Sequence, residues 1–266
     1  MTHVLALLAL LALAPDSTTP PKPIQDNSFL IEEAYNQEHR VVQHINTFMR
    51  ATTGRGWTYS FTQEWPAPSR RHQLSYTIPV LQLEEMGPAR RAVGDVAINY
   101  RYQLRGMHDE RVASAPRLSL LLPTGSVAKG AGAGGTGIQI NLPLSVELSD
   151  RLVTHLNAGA TLTPRARIAG SDPMRTASWN AGESFIWLLG RRLNAMLEAS
   201  WSNVQRIEGP RTTVRESQFL LSPGVRWSYD LASGMQIVPG VAVPIGVGPS
   251  SGSRWLFLYF SVEHPF

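Results

Sequence analysis

The sequence of 266 residues contains no cysteine, which excludes disulfide bonds, a thiolate zinc site and a cysteine nucleophile. It is also poor in charge, at 17% against about 25% for an average soluble domain. Of its 24 basic residues only Lys22 and Lys129 are lysines, and no basic run is longer than a doublet. The net charge of +4 therefore does not indicate a nucleic-acid-binding surface, and we expect no nucleic-acid partner.

The chain also lacks an apolar run of the about 20 residues that a membrane-spanning helix needs. Its longest run, Val4–Ala14, has the length of the apolar region of a signal peptide, and Ala12-Leu13-Ala14 supplies a cleavage site. We expect residues 1–14 to be a signal peptide. Residues 15–40 would then be a linker and short N-terminal segment, and residues 41–266 the folded domain. The mean hydropathy of −0.11 excludes a bundle of membrane helices.

From residue 41 onward the sequence alternates between apolar and polar residues, which indicates half-buried strands. In 137–148, for example, isoleucines and leucines at even positions oppose Gln139, Asn141 and Glu147 at odd ones. The alternation predicts twelve strands, at 41–52, 56–65, 71–83, 94–104, 115–124, 137–148, 152–165, 176–189, 193–206, 214–229, 235–246 and 254–266.

The length of these segments favours a membrane barrel over a soluble sheet. Soluble strands average about five or six residues, whereas a tilted membrane-spanning strand needs about 9–11. The links after the sixth, eighth and tenth segments are short, and those after the third, fifth, seventh, ninth and eleventh are longer. The sequence thus predicts an all-β fold, a transmembrane antiparallel β-barrel of about twelve strands (10–14), in the outer membrane of a Gram-negative cell.

The Gly-rich stretch 125–137 falls in one of the longer links. It has no Gly-Lys-Ser/Thr ending and no helix follows it, so it is not a phosphate-binding loop. We expect an outer loop there, and we expect neither a metal nor a cofactor in this chain.

The last segment carries a row of apolar side chains that ends in a phenylalanine. This row, Leu256, Leu258, Phe260, Val262 and Phe266, resembles the recognition signal of the barrel assembly machinery, which we expect as a partner together with outer-membrane lipid. His264 stands where that signal favours an aromatic residue.

The polar faces of the strands are the expected lining of the lumen. The candidate lumen residues are Asp95, Asn99, Arg101, Gln103, Gln139, Asn141, Glu147, His155, Asn157, Asn180, Glu198, Gln218 and Arg226. Because they are mixed in sign, they could pair across the lumen and close it, or form a constriction that filters by charge.

The stretch from Asn27 to His39 is the one part of the chain with a helical pattern, with Ser28 as a possible N-cap. It could be a periplasmic helix or a segment inside the lumen.

Several strands resemble those of a known family. The stretches 94–102 (GDVAINYRY), 118–125 (LSLLLPTG) and 137–159, with the N-terminal NSFLIEEAYNQE, are similar to outer-membrane transporters of the "MetA-pathway of phenol degradation" type. The resemblance covers most of the chain after the linker. It implies a barrel in the outer membrane and passage of small molecules, such as aromatic ones.

The leading hypothesis is a non-enzymatic channel for passive passage of small, aromatic or hydrophobic solutes. A closed structural or adhesive barrel without transport is the first alternative. The second is a lipid-modifying outer-membrane enzyme, for which His44, His72, His155, Glu183 and Ser184 would be the available groups. That enzyme would require a serine and a histidine within hydrogen-bonding distance at one rim.

Overall fold

A computed structural model describes residues 27–83, 90–106 and 110–266. The predicted signal peptide and the first part of the predicted linker lie outside the described residues. Sixteen strand segments form one antiparallel sheet. Four barrel strands consist of two segments each, so the sheet has twelve strands, as the alternation predicts. The described residues contain no helix that is both long and apolar enough to cross a membrane.

The strands are numbered in chain order. They are β1 Val41–Ala51, β2 Trp57–Pro66, β3 His72–Leu83, β4 Arg90–Val93 with Val96–Tyr102, β5 Val112–Ser114 with Arg117–Leu122, β6 Gly137–Ser149, β7 Leu152–Ala166, β8 Met174–Leu188, β9 Leu193–Gly209, β10 Thr212–Trp227 with Tyr229–Asp230, β11 Gln236–Ala242 with Ile245–Gly246, and β12 Trp255–Pro265. Two short 3-10 helices, Val127–Lys129 and Gly248–Ser250, lie in connections.

The sheet closes on itself between its first and last strands. β1 pairs with β12 over its whole length, from Val41 opposite Pro265 to Ala51 opposite Trp255. Every other strand pairs with its neighbours in sequence. Closure leaves no free edge, which is what a sheet needs in a solvent that cannot hydrogen-bond its backbone.

The strands bury polar side chains and expose apolar ones, the reverse of a soluble protein. Within β5, Ser119 is 0% exposed and its neighbour Leu118 is 51% exposed; within β6, Asn141 is 4% exposed and Leu142 is 54% exposed. Since successive side chains in a strand point to opposite faces, the polar row faces the lumen and the apolar row faces outward. The predicted assembly row follows this rule, because Leu256, Leu258 and Phe260 are exposed on the outside.

The two ends of the barrel differ in their connections. Both the start of β1 and the end of β12 lie at one end, with the two-residue turn between β6 and β7; we call this the short-turn end and the other the long-loop end. The expected long link after the ninth strand is largely absent. β9 and β10 continue to Gly209 and Thr212, so their pairing extends beyond the predicted strand ends and a two-residue turn remains.

The stretch with the helical pattern is not a helix. Residues 27–40, which we call the plug, form bends and turns without regular secondary structure, and they lie inside the barrel at the short-turn end. Asn27, Ile31, Ala34 and Gln37 are buried there. Of the two placements that the sequence leaves open, the structure has the one inside the lumen.

Candidate functional site

The plug is held in the lumen through its own backbone. A helix satisfies its amide and carbonyl groups internally, whereas those of the plug bond to side chains of the barrel wall. This difference explains why residues 27–40 do not form the helix that their sequence pattern favours. The wall supplies the hydrogen-bond partners that the backbone would otherwise find within a helix.

The first half of the plug is bound by two charged residues on neighbouring strands. The backbone N–H groups of Phe29, Leu30 and Ile31 all donate to Oε1 of Glu198 on β9, at 3.0, 2.8 and 3.2 Å. On β10, Arg226 donates from Nη1 to the carbonyl of Asn27 at 2.7 Å. Three N–H groups share one carboxylate oxygen here and a guanidinium binds the carbonyl beside them, so this is the densest set of hydrogen bonds on the backbone of the plug.

The second half is bound by neutral polar side chains. The N–H of Glu32 donates to Asn157 on β7, and that of Ala34 donates to Ser145 on β6, both at 2.8 Å. Further along, the N–H groups of Asn36 and Gln37 donate to Gln103, just after β4, and to Gln73 on β3, at 2.8 and 2.7 Å. The side chain of Gln37 also donates to Gln43 on β1. The plug is therefore tied to strands around most of the barrel.

Two apolar side chains of the plug fit into places where the wall has glycine. The ring of Phe29 packs on those of Phe257 and Tyr259, at centroid distances of 5.3 and 5.2 Å. A Cβ at Gly240 would lie 2.5 Å from Cζ of Phe29, and a Cβ at Gly182 would lie 2.3 Å from Cδ1 of Ile31. A glycine inside a strand often marks the close approach of another group, and here that group is the plug.

An ion cluster forms around Glu32. Its Oε1 accepts a hydrogen bond from Nη2 of Arg101, and its Oε2 lies 3.2 Å from Nε of Arg117. Asn141 donates to the same Oε2 at 2.6 Å, and Glu33 lies 3.9 Å from Arg101. Burial by itself raises the pKa of Glu32, but Arg117 and Arg101 outweigh burial and leave this pKa below its ordinary value. Glu32 is therefore ionised in the lumen at neutral pH.

A cavity of about 330 Å³ lies in the lumen beside this cluster. Its wall includes Arg101, Arg117, Glu64 and Asn141, and plug residues from Asn27 to Glu33 form another side of it. Among the described residues that line the cavity, Tyr259 is the one aromatic residue of the wall. The cavity is thus a polar, charged chamber bounded in part by the plug.

The residues predicted for the lumen lie in several places. The buried ones are Asn99, Arg101, Gln103, Asn141, His155, Asn157, Glu198 and Arg226. Of these, Arg101, Gln103, Asn141, Asn157, Glu198 and Arg226 bond to the plug. Gln139 and Asn180 line the cavity.

The other three predicted residues lie toward the ends of the barrel. Asp95, at the long-loop end, accepts hydrogen bonds from the N–H groups of Gly125 and Ala133 at 2.8 and 2.7 Å, and so holds the Gly-rich loop. Gln218 is half-buried toward the same end, and Glu147 is exposed at the short-turn end.

Sequence reasoning missed other wall residues that bind the plug. Arg117 begins the second segment of β5 and is followed by the outward-facing Leu118, so it belongs to the polar face of its strand. The rule that polar faces line the lumen could therefore have found it. Ser145 and Gln73 also lie on inner faces, but a serine or glutamine among many gives no signal of its own. Glycines such as Gly240 could be read as close approaches, but their partner could not be inferred.

The structure brings one serine and one histidine together. Ser145 Oγ and His155 Nδ1 are 2.7 Å apart on neighbouring strands, and both residues are 0% exposed. Ser145 Oγ also accepts the N–H of Ala34, and the ring of Tyr35 meets His155 edge-on. Because the plug covers this pair, its visible role is to bind the plug. Ser184 similarly contacts the plug, with its Oγ 2.7 Å from that of Ser28.

A closed barrel with an apolar exterior and a polar interior defines the class: this is an outer-membrane β-barrel. In sequence, the chain matches no protein-family profile and no curated protein. In structure, it is similar to an outer-membrane channel from Pseudomonas putida F1, with a TM-score of 0.65, 10% identity, and coverage of 88% of this chain and 98% of that one. It is also similar to the NanC porin, with a TM-score of 0.54, 8% identity, and coverage of 85% and 100%.

These likenesses show the shared barrel fold and agree with the type of protein that the sequence resemblance names. Membership of the "MetA-pathway of phenol degradation" family itself stays a prediction.

Proposed function

We propose that this protein is a narrow outer-membrane channel for small solutes, closed here by the plug. The observation that carries the proposal is the way the plug is bound. Glu198, Arg226 and a row of amide side chains hold its backbone through hydrogen bonds, and Arg101 and Arg117 hold Glu32 through ion pairs. Each such bond contributes only about 0.5–3 kcal/mol net, because water can replace it. A lumen lined in this way is wettable once the plug leaves.

The size of the barrel supports a narrow path. Barrels of about eight strands are filled by side chains and those of about 16–18 enclose an aqueous channel, so twelve strands lie between these limits. The two solved structures described above are named as a porin and a channel. That supports a transport role for this chain.

The lining of the cavity favours polar solutes over the aromatic ones that the family resemblance implies. Amide, hydroxyl and charged groups surround the cavity, and Tyr259 and Phe29 supply its aromatic rings. We therefore propose small hydrophilic solutes as the first class to test.

A closed barrel without transport is the second candidate, favoured by the three hydrogen bonds on Glu198 and by the two glycine pockets. The two candidates differ in whether the plug ever leaves the lumen.

A reversible lock on the plug tests the channel. Ser28 and Ser184 face each other across 2.7 Å between their Oγ atoms, close to the separation that a disulfide bridges, and the chain has no cysteine of its own. We expect the S28C/S184C variant in planar bilayers to be silent when oxidised and to conduct when reduced. The S28C variant alone should conduct under both conditions. Absence of conductance from every one of these proteins would favour the closed barrel.

A further inference from the structure

The ion cluster around Glu32 has the form of a binding site that is occupied by part of its own chain. The groups that hold this carboxylate all come from the barrel wall. Nη2 of Arg101 and Nδ2 of Asn141 donate hydrogen bonds to it, and Nε of Arg117 forms an ion pair with it at 3.2 Å. The group that they surround is a single carboxylate, which arrives on the plug. Both carboxylate oxygens are engaged, each by a guanidinium, and paired arginines are well suited to hold a carboxylate.

From this geometry we infer that Glu32 is a tethered substitute for the carboxylate of a diffusing solute, and that small carboxylates are the solutes that displace the plug. The inference rests on the channel proposed above and names its substrate class. A carboxylate that enters the cavity competes with Glu32 for Arg101 and Arg117. Occupation of that site by a solute stabilises the open state, because a ligand that binds only one state shifts the population toward it.

The charges of the cavity favour this class of solute. When the plug leaves, it removes Glu32 and Glu33, the two carboxylates that face Arg101. Near the two arginines the wall retains Glu64, which already accepts a hydrogen bond from Gln73 at 2.9 Å. Two cations then face one anion across the cavity. The open lumen should therefore attract small anions and disfavour small cations.

The wall also offers neutral donors to such a solute. Asn157 donates from Nδ2 to the carbonyl of Glu32 at 2.7 Å, and Asn141 donates to its carboxylate. Both amides lose their plug partner when the plug leaves. A solute with a carboxylate and a second hydrogen-bond acceptor could engage an arginine and an amide together, and the cavity of about 330 Å³ limits it to small molecules.

The test measures plug release directly in the full-length protein. S28C places a thiol on the plug, and a polyethylene-glycol maleimide too large to enter the lumen reacts with it only when the plug is out. Benzoate and succinate are compared with their uncharged amides, benzamide and succinamide. A ligand that binds only the open state should speed labelling about tenfold at ten times its dissociation constant. Benzoate and succinate should do so, and the amides should not.

Two further variants assign the effect to the site. The pair E32Q/R117Q removes the tethered carboxylate together with one of its two arginines and leaves Arg101 facing Glu33. Carboxylates should speed its labelling much less than that of the parent S28C protein. R105Q breaks an exposed arginine–glutamate pair elsewhere and should leave the response intact. Heat-modifiable gel migration shows that each variant is folded. Equal acceleration by benzoate and benzamide, or none by either carboxylate, would overturn the inference.

The same experiment separates this inference from the proposed channel. Conductance with no carboxylate effect leaves the channel standing and overturns the inference. Carboxylate-dependent labelling without conductance supports displacement of Glu32 by carboxylates and overturns the channel.

Discussion

Nε of Arg117 on the barrel wall lies 3.2 Å from Oε2 of Glu32 on the plug. The two residues are 85 positions apart in the chain, by subtraction of their numbers. Their contact joins the barrel wall to the plug in the lumen. With Arg101 on the other carboxylate oxygen, it makes docking of the plug sensitive to the charge of Glu32.

Docking of the plug should weaken in acid. Burial raises the pKa of Glu32, but Arg117 and Arg101 lower it by more than burial raises it. The pKa of Glu32 in the docked plug therefore lies below the ordinary 4.5. The charge of Glu32 therefore stabilises docking fully above about pH 4.5, and this contribution is lost as the pH falls through the docked pKa. The part of the conductance that depends on Glu32 should therefore rise only as the pH falls below about 4.5.

Glu32→Gln is the control for this pH dependence. It should conduct more than the wild type at pH 7 and should lose the part of the acid response that belongs to Glu32. An unchanged acid response in this variant would mean that Glu32 is not its source.

Glu198→Ala should loosen the plug. It removes the one oxygen that accepts the N–H groups of Phe29, Leu30 and Ile31 and leaves all three without that acceptor. A loss of about 1.4 kcal/mol corresponds to a tenfold increase in the open population, which is the scale we expect. Labelling of the S28C thiol measures it. Glu147→Ala, at an exposed site, should label at the original rate.

Gly240→Ala should displace Phe29. The new methyl group would stand 2.5 Å from Cζ of the ring, so the ring or the strand must move. We expect faster labelling of the S28C thiol, and we expect a smaller side chain in Phe29→Leu to reverse part of the effect. Gly190→Ala, where a Cβ would have nothing within 4 Å, is the matched control. Equal labelling of both alanine variants would mean that the pocket does not hold the plug.

Leu142→Arg should destabilise the barrel in lipid. Leu142 is 54% exposed on the outer face near the middle of β6. An arginine facing lipid at mid-depth costs about 2–4 kcal/mol, and the penalty falls toward the interfaces. Ile138→Arg, nearer the end of the same strand, should cost less. Equilibrium refolding in urea with lipid vesicles measures both, and equal penalties would place the two residues at the same depth.

The strands were predictable because the signal for them is local. Alternation in residues 137–148 depends only on neighbours in the chain, and β6 follows it almost residue for residue. The plug was not predictable, since its conformation depends on groups such as Glu198 and Ser145 that are more than 100 positions away. The helical pattern of residues 27–39 is a local preference that these distant partners override. The assembly role of Phe266 stays a prediction.

The order of pairing around the barrel has a consequence for its assembly. The plug leads directly into β1, and β1 meets its second partner, β12, only when the last strand arrives. The plug's partners lie on strands from β1 to β12, so its binding site does not exist as a whole in any shorter stretch of the chain. The plug can therefore dock completely only after β1 has paired with β12, and its docking can serve as a reporter of this final step of folding.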